Sequence, residues 1–136
     1  MQDALGSVQS VLVLGGGSDI AMSTLRELVK RRARTIVLAA RDPQSLAGSV
    51  EELRSLGATT VEAVAFDAHD TSAHTAFVDD IFSRFGDIDL VLVAFGVLGD
   101  QEQAEQDAAA AVDIATVNYV GAISVTVPIY PRSLTP

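Results

Sequence analysis

The stretch from residue 11 to residue 21, VLVLGGGSDIA, constrains the fold of this chain more than any other. An apolar run of strand length ends in three glycines, and a Ser, an Asp and a helical pattern follow. A turn after a buried strand needs only one glycine, so three indicate that another group approaches the backbone closely. We expect Gly15 to allow a tight turn, and Gly16 and Gly17 to leave room for that group. The alternative is a permissive turn that binds nothing.

The rest of the chain alternates between strand and helix patterns. Short apolar runs at 10–14, 35–40, 60–66 and 89–95 predict strands, and the amphipathic segments between them predict helices. Runs that are apolar throughout are typical of strands covered on both faces, which indicates a parallel sheet. The predicted fold is therefore α/β, a Rossmann-type doubly wound parallel sheet truncated after about four strands and the following helix.

The last third of the chain has a different composition. Residues 100–107, DQEQAEQD, contain acids and amides but no base, which predicts a solvated loop or the start of a helix. Residues 107–127 are mostly Ala and β-branched residues, which predicts a buried or interface helix. Prolines concentrate in the last nine residues, where neither a helix nor a strand accepts them readily. We therefore expect residues 1–127 to form the N-terminal part of the domain, and residues 128–136 to be a Pro-rich tail foreign to it.

Composition excludes several classes of partner and site. The net charge of −9 disfavours nucleic acid and anionic membrane surfaces as partners. The chain has no Cys, which excludes disulfides and thiolate metal sites. No apolar run reaches the roughly 18 residues that a transmembrane helix needs. Because the N-terminus also lacks the pattern of a secretory signal, we expect a cytoplasmic protein, with a cell-envelope or periplasmic location as the alternative.

The glycine turn predicts a phosphate site. In a parallel sheet, a glycine-rich turn after the first strand brings a helix N-terminus to the place where phosphates bind. Ser18 can cap this helix or donate its hydroxyl to a ligand, and Ile20 begins the apolar face of the helix. Asp19 stabilises the positive end of the helix, but it repels a phosphate unless its side chain points away.

Polar residues also follow the second and third strands. Arg41 lies about 20 residues beyond the glycine turn, where an Arg accepts the 2′-phosphate of a dinucleotide; the alternative is a solvated Arg before a helix. Asp67 is placed to accept from an adenine amino group, or it is a turn residue. His69 with Asp67 and Asp70 lacks a fourth ligand, so no metal site is predicted. His74 is expected at a surface or an edge.

Together these segments resemble the short-chain dehydrogenase/reductase family. The resemblance lies in LGGGSDIA (14–21), LAAR (38–41), FDAHD (66–70), LVAFG (92–96) and VNYVG (117–121). It implies an oxidoreductase that uses NADH or NADPH. The implied cofactor-binding residues are Gly15, Gly17, Ser18, Asp19, Ile20, Arg41, Asp67, Ala94, Phe95 and Gly96. The chain departs from the family where Asp19 and Ala21 replace later glycines, and where VAFG replaces Asn-Asn-Ala-Gly.

The resemblance also implies a catalytic role for Asn118. In the family, an Asn on this helix holds a water or backbone group that supports a proton relay to a catalytic Lys, beside a Tyr and a Ser. The chain ends before those three residues. Tyr119 and Tyr130 are not candidates, because neither is followed by a Lys four residues later and Lys30 is the only Lys. The alternative for Asn118 is a buried amide that bends the helix or specifies its packing.

A narrower resemblance concerns the substrate. VLVLGGGSDIA, VEAVAFDAHD, LVLVAFGVLGD and IATVNYVGAISV are similar to mycobacterial and corynebacterial reductases of decaprenylphosphoryl-2-keto-erythro-pentose. This implies reduction of a lipid-linked keto sugar to decaprenylphosphoryl-arabinose during synthesis of cell-wall arabinan, with a flavin oxidase as functional partner. Those reductases use NADH, whereas Arg41 favours NADPH. The family also uses the helix around Asn118 in its dimer interface, which implies a homo-oligomer for the intact enzyme.

Two other hypotheses remain open at this point. The chain is a non-catalytic dinucleotide-binding module, or it is a non-functional truncated product such as a frameshift would give. A truncated product leaves the helix at 107–127 and one sheet edge uncovered, and such surfaces favour aggregation. Cofactor titration separates the two, because only the module binds saturably.

Overall fold

The computed structural model describes residues 2, 4–96 and 100–133, which form a parallel β-sheet with helices on both faces. The strands are β1 (Ser10–Leu14), β2 (Thr35–Ala40), β3 (Thr60–Ala65) and β4 (Leu90–Val93). All paired strands are parallel, and their order is β3-β2-β1-β4. This order is part of the doubly wound arrangement, so the predicted Rossmann-type fold is confirmed.

A helix follows each of the first three strands, and a helical segment follows β4. The helices are α1 (Asp19–Lys30), α2 (Ala47–Ser55), α3 (His74–Phe85), α4 (Gln101–Gln106), α5 (Ala108–Ala115) and α6 (Gly121–Ser133). Short 3₁₀ turns at Pro43–Leu46 and Thr71–Ala73 precede α2 and α3, and a π-helical turn at Thr116–Val120 joins α5 to α6. Each crossover between two successive strands returns the chain to the end of the sheet where the first strand began, so the next strand runs parallel to it.

The core lies on both faces of the two central strands. Successive side chains of a strand point to opposite faces. On one face the strands pack against α1 and α2 through Val11, Val13, Ile36 and Leu38. On the other face they pack against α3 and α6 through Leu12, Leu14, Val37 and Ala39. All eight side chains are fully buried, so the predicted two-sided burial of the apolar runs is confirmed for β1 and β2.

The predicted end of the last helix is wrong, because α6 continues to Ser133 with Pro128 and Pro131 inside it. Each proline removes one backbone donor from the helix. Packing compensates for this loss. Ile129 is buried in the same core cluster as Val78 and Ile81 of α3, and Arg132 pairs with Asp79 of α3. Residues 128–133 therefore lie on the domain. Residues 134–136 lie outside the described part of the chain.

The helical segment at 107–127 is mostly exposed, so of the two predicted alternatives the buried helix is wrong for this chain, and the interface helix stays a prediction. Only Gly121 and Val125 in this segment are buried, while Val112, Tyr119 and Val127 are exposed. By length and hydropathy alone, the continuous helix Ala108–Arg132 is able to cross a membrane. The sequence expectation missed it because Thr, Ser and Asn interrupt the apolar residues. This is weak evidence for a membrane segment, because one face of the helix packs on α3.

Candidate cofactor-binding site

The turn from β1 to α1 is held by backbone hydrogen bonds and a capped helix. The amides of Gly15 and Gly16 both donate to the carbonyl of Ala39 in β2, each at 2.9 Å. Ser18 is the N-cap of α1, and its Oγ accepts from the amide of Ala21 at 3.2 Å. Of the two predicted roles for Ser18, the structure shows the cap. The helix N-terminus is thereby fixed beside the carboxyl end of β1.

The three glycines of this turn have different surroundings. Gly15 has φ +103°, and a Cβ there would lie 2.5 Å from the backbone nitrogen of Phe95, so the predicted tight turn is confirmed. Gly16 is buried, and its Cβ would meet Leu38 and Leu46 at 3.0 Å. The expectation that Gly16 makes room for a ligand is wrong, because it makes room for the core. Gly17 is exposed, with no atom within 4 Å of its Cβ position.

The first helical turn, with Asp19 and Ile20, adjoins the cleft without lining it. Ile20 is 81% exposed, so its expected place on the apolar face of α1 is wrong. That face is formed by Ala21, Met22, Leu25 and Val29. An α-helix leaves its first N–H groups without intrahelical partners. The backbone of this turn is therefore suited to an anion when the Asp19 carboxylate points away from it.

A cleft of about 840 Å³ opens over the carboxyl ends of the strands. This volume falls within the range of about 300–1,000 Å³ that is usual for ligand pockets. The glycine turn lines this cleft, at the point where the chain order reverses between β1 and β4. Open α/β sheets bind ligands at this point. Of the predicted residues, the cleft is lined by Gly15, Gly17, Ser18, Arg41, Asp67, Ala94, Phe95 and Gly96.

Arg41 and Asp67 lie at the ends of β2 and β3, and both are exposed in the cleft. Arg41 is the only Lys or Arg among the described lining residues. One carboxylate oxygen of Asp67 accepts from the amide of His69 at 2.9 Å, which is the turn role that the sequence allowed. No other contact engages this carboxylate within the described residues. A ligand can therefore reach its second oxygen.

The segment after β4 forms the wall of the cleft opposite β2. The amide of Ala94 donates to the carbonyl of Leu14 at 2.7 Å, which extends the pairing of β4 with β1. The ring of Phe95 lies 5.6 Å from that of Phe66, and both rings line the cleft. Residues 97–99, which are the VLG of the LVLVAFGVLGD segment, lie outside the described part of the chain.

Comparison with known proteins decides the family. The family model for short chain dehydrogenases matches residues 9–134. The chain belongs to the short-chain dehydrogenase family. An uncharacterized oxidoreductase of Streptomyces coelicolor is 45% identical over 122 residues, which cover 90% of this chain and 48% of that protein. The chain thus spans about half the length of the curated relatives it matches.

Solved oxidoreductase structures share the fold. An actinorhodin polyketide ketoreductase with NADPH superposes with a TM-score of 0.77 and 23% identity, covering 98% of this chain and 49% of that one. An NAD⁺-bound xylitol dehydrogenase gives a TM-score of 0.80 and 22% identity, covering 91% of this chain and 47% of that one. Solved structures with this fold therefore include chains bound to either dinucleotide.

Asn118 lies in the π-helical turn between α5 and α6 of this short-chain dehydrogenase chain. Its side chain is exposed, so the expectation of a buried amide is wrong. A Cβ on Gly96 would lie 3.2 Å from Asn118 Oδ1, which places the amide at the rim of the cleft behind Gly96. A π-helical turn distorts a helix, and such turns are frequent at functional sites.

The sequence analysis missed the wall that α4 and α5 form on the cleft. Its lining residues are Asp100, Gln103, Asp107, Ala109, Ala110, Asp113, Ile114 and Val117. Two of the three acids cap helices: Asp100 accepts from the amide of Gln103, and Asp107 accepts from that of Ala109. The repeated pattern of an Asp before a helical run was the available signal. The result is an acidic wall in the same cleft that Arg41 lines.

The two histidines lie in different environments. His69 lines the cleft, and its Nε2 lies 3.4 Å from a carboxylate oxygen of Asp113 across the acidic wall. His74 is 1% exposed, so its expected place at a surface is wrong. It stands three, four and seven residues before apolar residues of α3, which is the spacing of the inward face. Within the described residues, no group of three His, Cys, Asp or Glu is placed to hold a metal ion.

Proposed function

We propose that this chain is the cofactor-binding half of an NAD(P)H-dependent short-chain reductase. The observation that carries the proposal is the exposed Gly17, with open space at its Cβ position, at the N-terminus of α1 beside a cleft of about 840 Å³. A pyrophosphate needs close access to backbone amides and the positive end of a helix dipole, and this turn offers both. Solved structures of the same fold in complex with NADP or NAD support the same assignment.

Three other parts of the cleft lining fit the other parts of a dinucleotide. Arg41 supplies a positive charge beyond β2, where it would pair with a 2′-phosphate and favour NADPH. Asp67 offers a carboxylate oxygen to the adenine amino group. The turn from Ala94 to Gly96 borders the cleft opposite these two residues. It would hold the nicotinamide end of the cofactor.

The bound nicotinamide would supply the hydride, and the protein would orient it against the carbonyl of the substrate. Asn118, at the rim behind Gly96, would hold a water for a proton relay. The Tyr that donates the proton and the Lys that assists it in the family have no counterpart in these 136 residues. We therefore expect the chain alone to bind cofactor without reducing a substrate.

For the substrate, we propose the keto form of decaprenylphosphoryl pentose, reduced to the arabinose form. Only the resemblance of four sequence segments supports this choice. A flavin oxidase that produces the keto sugar would be the functional partner, and the intact enzyme would be a homo-oligomer. A lipid-linked substrate also favours work at the cell envelope over the free cytoplasm.

Titration of the chain with NADH and NADPH tests the proposed function. We expect saturable binding, monitored by the fluorescence of the reduced nicotinamide. Gly17→Glu introduces a charge and a side chain at the phosphate position, and it should abolish binding. Gly48→Glu is the matched control, because Gly48 is also exposed with no atom within 4 Å of its Cβ position. Absence of saturable binding by the unmodified chain, or equal loss in both variants, would overturn the proposal.

A further inference from the structure

The buried side chain of His74 joins two parts of the site. Its Nε2 lies 2.8 Å from the backbone carbonyl of Asp67, and its Nδ1 lies 2.9 Å from Oγ of Ser124 in α6. A carbonyl oxygen only accepts, so Nε2 is the protonated nitrogen and donates a hydrogen bond to the Asp67 carbonyl. A histidine buried to 1% exposure with both nitrogens bonded has one fixed orientation.

The same network ties the loop after β3 to α6. Oγ of Ser124 also lies 3.2 Å from the carbonyl of Thr71, so its one hydroxyl proton is donated either to that carbonyl or to Nδ1 of His74. At the start of α6, a Cβ on Gly121 would collide with the carbonyl group of Ala68, so the two backbones touch. α6 therefore contacts the loop from residue 67 to residue 71 near both of its ends, at Ala68 and at Thr71.

The ring of His74 also supports the floor of the cleft. It stacks on Phe66, with ring centroids 4.9 Å apart and an angle of 30° between the planes. Phe66 lines the cleft directly before Asp67. The imidazole thus contacts the backbone of Asp67 on one side and its preceding residue on the other. Removal of its hydrogen bonds would release the backbone carbonyl of Asp67, and the Asp67 carboxylate would then lose its fixed direction.

We propose that His74 is a positioning residue for recognition of the adenine base. It holds the backbone of Asp67 so that the free carboxylate oxygen accepts from the exocyclic amino group of adenine. His74 itself does not touch the ligand, because it is buried behind Phe66. This role presupposes the dinucleotide site proposed above, and it adds a residue that base recognition needs.

A pair of cofactors that differ only in the base tests this role. NADH carries the amino group, whereas its hypoxanthine analogue carries an oxygen at that position. The unmodified chain should bind NADH about tenfold more tightly than the analogue, because a hydrogen bond to a carboxylate is lost. His74→Phe keeps the ring and its stacking but removes both hydrogen bonds, and it should reduce this preference to about threefold or less. A general loss of stability would weaken both ligands equally and leave the ratio unchanged.

Ser124→Ala provides an independent variant, because it removes one bond of the network without replacing the buried ring. We expect it to lower the preference to a value between those of the unmodified chain and His74→Phe. Ser83→Ala, at an exposed position of α3, should leave the preference unchanged. If circular dichroism shows that His74→Phe is unfolded, the comparison of Ser124→Ala with Ser83→Ala decides.

The outcomes separate this inference from the proposed function. No saturable binding of either dinucleotide by the unmodified chain overturns the dinucleotide site itself. Saturable binding without preference between the bases leaves the site standing but overturns the role of His74. The same holds if the folded His74→Phe chain keeps the full preference, or if Ser124→Ala matches the Ser83→Ala control.

Discussion

Gly15 and Phe95 meet at the carboxyl edge of the sheet with no room for a side chain between them. A Cβ on Gly15 would lie 2.5 Å from the Phe95 nitrogen, and the φ of Gly15 is +103°. Gly15→Ala therefore faces both an unfavourable backbone conformation and a clash with backbone atoms that cannot rotate away. We expect this variant to lose about 3 kcal/mol or more of unfolding free energy, measured by urea denaturation.

Gly17→Ala is the control within the same turn, because its Cβ position is open and its φ lies outside the left-handed region. Its unfolding free energy should stay within about 0.5 kcal/mol of the unmodified chain. The methyl group should weaken cofactor binding instead. Equal destabilisation by both substitutions would show that the contact between Gly15 and Phe95 is not what limits this turn.

Arg41 should determine the choice between the two dinucleotides. It is the only Lys or Arg among the described lining residues, so its removal leaves no described basic side chain in the cleft for a 2′-phosphate. We expect Arg41→Ala to weaken NADPH about tenfold or more while changing NADH by less than about twofold. Fluorescence titration with both cofactors measures this ratio.

Arg31→Ala provides the matched control, since Arg31 is exposed at the C-terminal end of α1, away from the cleft. It removes the same charge from the chain and should leave the ratio unchanged. A parallel loss of affinity for NADH and NADPH in Arg41→Ala would mean that the guanidinium contacts the part common to both cofactors.

The sequence predicted the sheet and the lining of the cleft because both depend on local patterns. The fully apolar runs of β1 and β2 require cover on both faces, and the glycines and Arg41 follow strands whose ends share one edge. The role of Gly16 was not predictable in the same way. Whether a glycine makes room for a ligand or for a core residue depends on Leu46, which lies 30 residues later, at the start of the next crossover.

The errors at the C-terminal end have a common physical cause. Pro128 and Pro131 oppose a helix locally, but the burial of Ile129 and the contacts of Arg132 with Asp79 and Phe82 of α3 outweigh that preference. His74 was misplaced for a related reason. Its polarity suggests the surface, and only the long-range carbonyl of Asp67 and hydroxyl of Ser124 make its burial favourable.

Asp89 should make the stability of the domain sensitive to acid. Burial alone would raise the pKa of its carboxyl, but hydrogen bonds that include those from the amides of Gln9 and Ser10, at 2.8 and 3.2 Å, hold it below 3.8. Because the folded pKa is lowered, this contribution is complete above the unfolded pKa and is lost as the pH falls through the folded value. The loss should occur below about pH 4.

Asp89→Asn should lower the unfolding free energy by about 1–2 kcal/mol at pH 7 and flatten its decline below pH 4. Urea denaturation at several pH values measures both effects. Asp87→Asn removes the same charge from a neighbouring exposed position and should keep the acid-dependent decline. An unchanged pH profile in Asp89→Asn would show that the decline comes from other carboxylates.

The exposed side of the helical segment from α5 to α6 should drive self-association of the chain. Tyr119, Val127 and Tyr130 are between 62% and 69% exposed, and Ile123 lies between them on the same helix. An apolar stripe of this length on a protein surface favours association. We expect the chain to form concentration-dependent oligomers in sedimentation velocity, and Ile123→Lys combined with Val127→Lys to weaken them about tenfold or more. Ala76→Lys, at an exposed position of α3, should leave the distribution unchanged. A chain that stays monomeric at all concentrations, or oligomers that the two lysines do not affect, would mean that this stripe is not the contact surface.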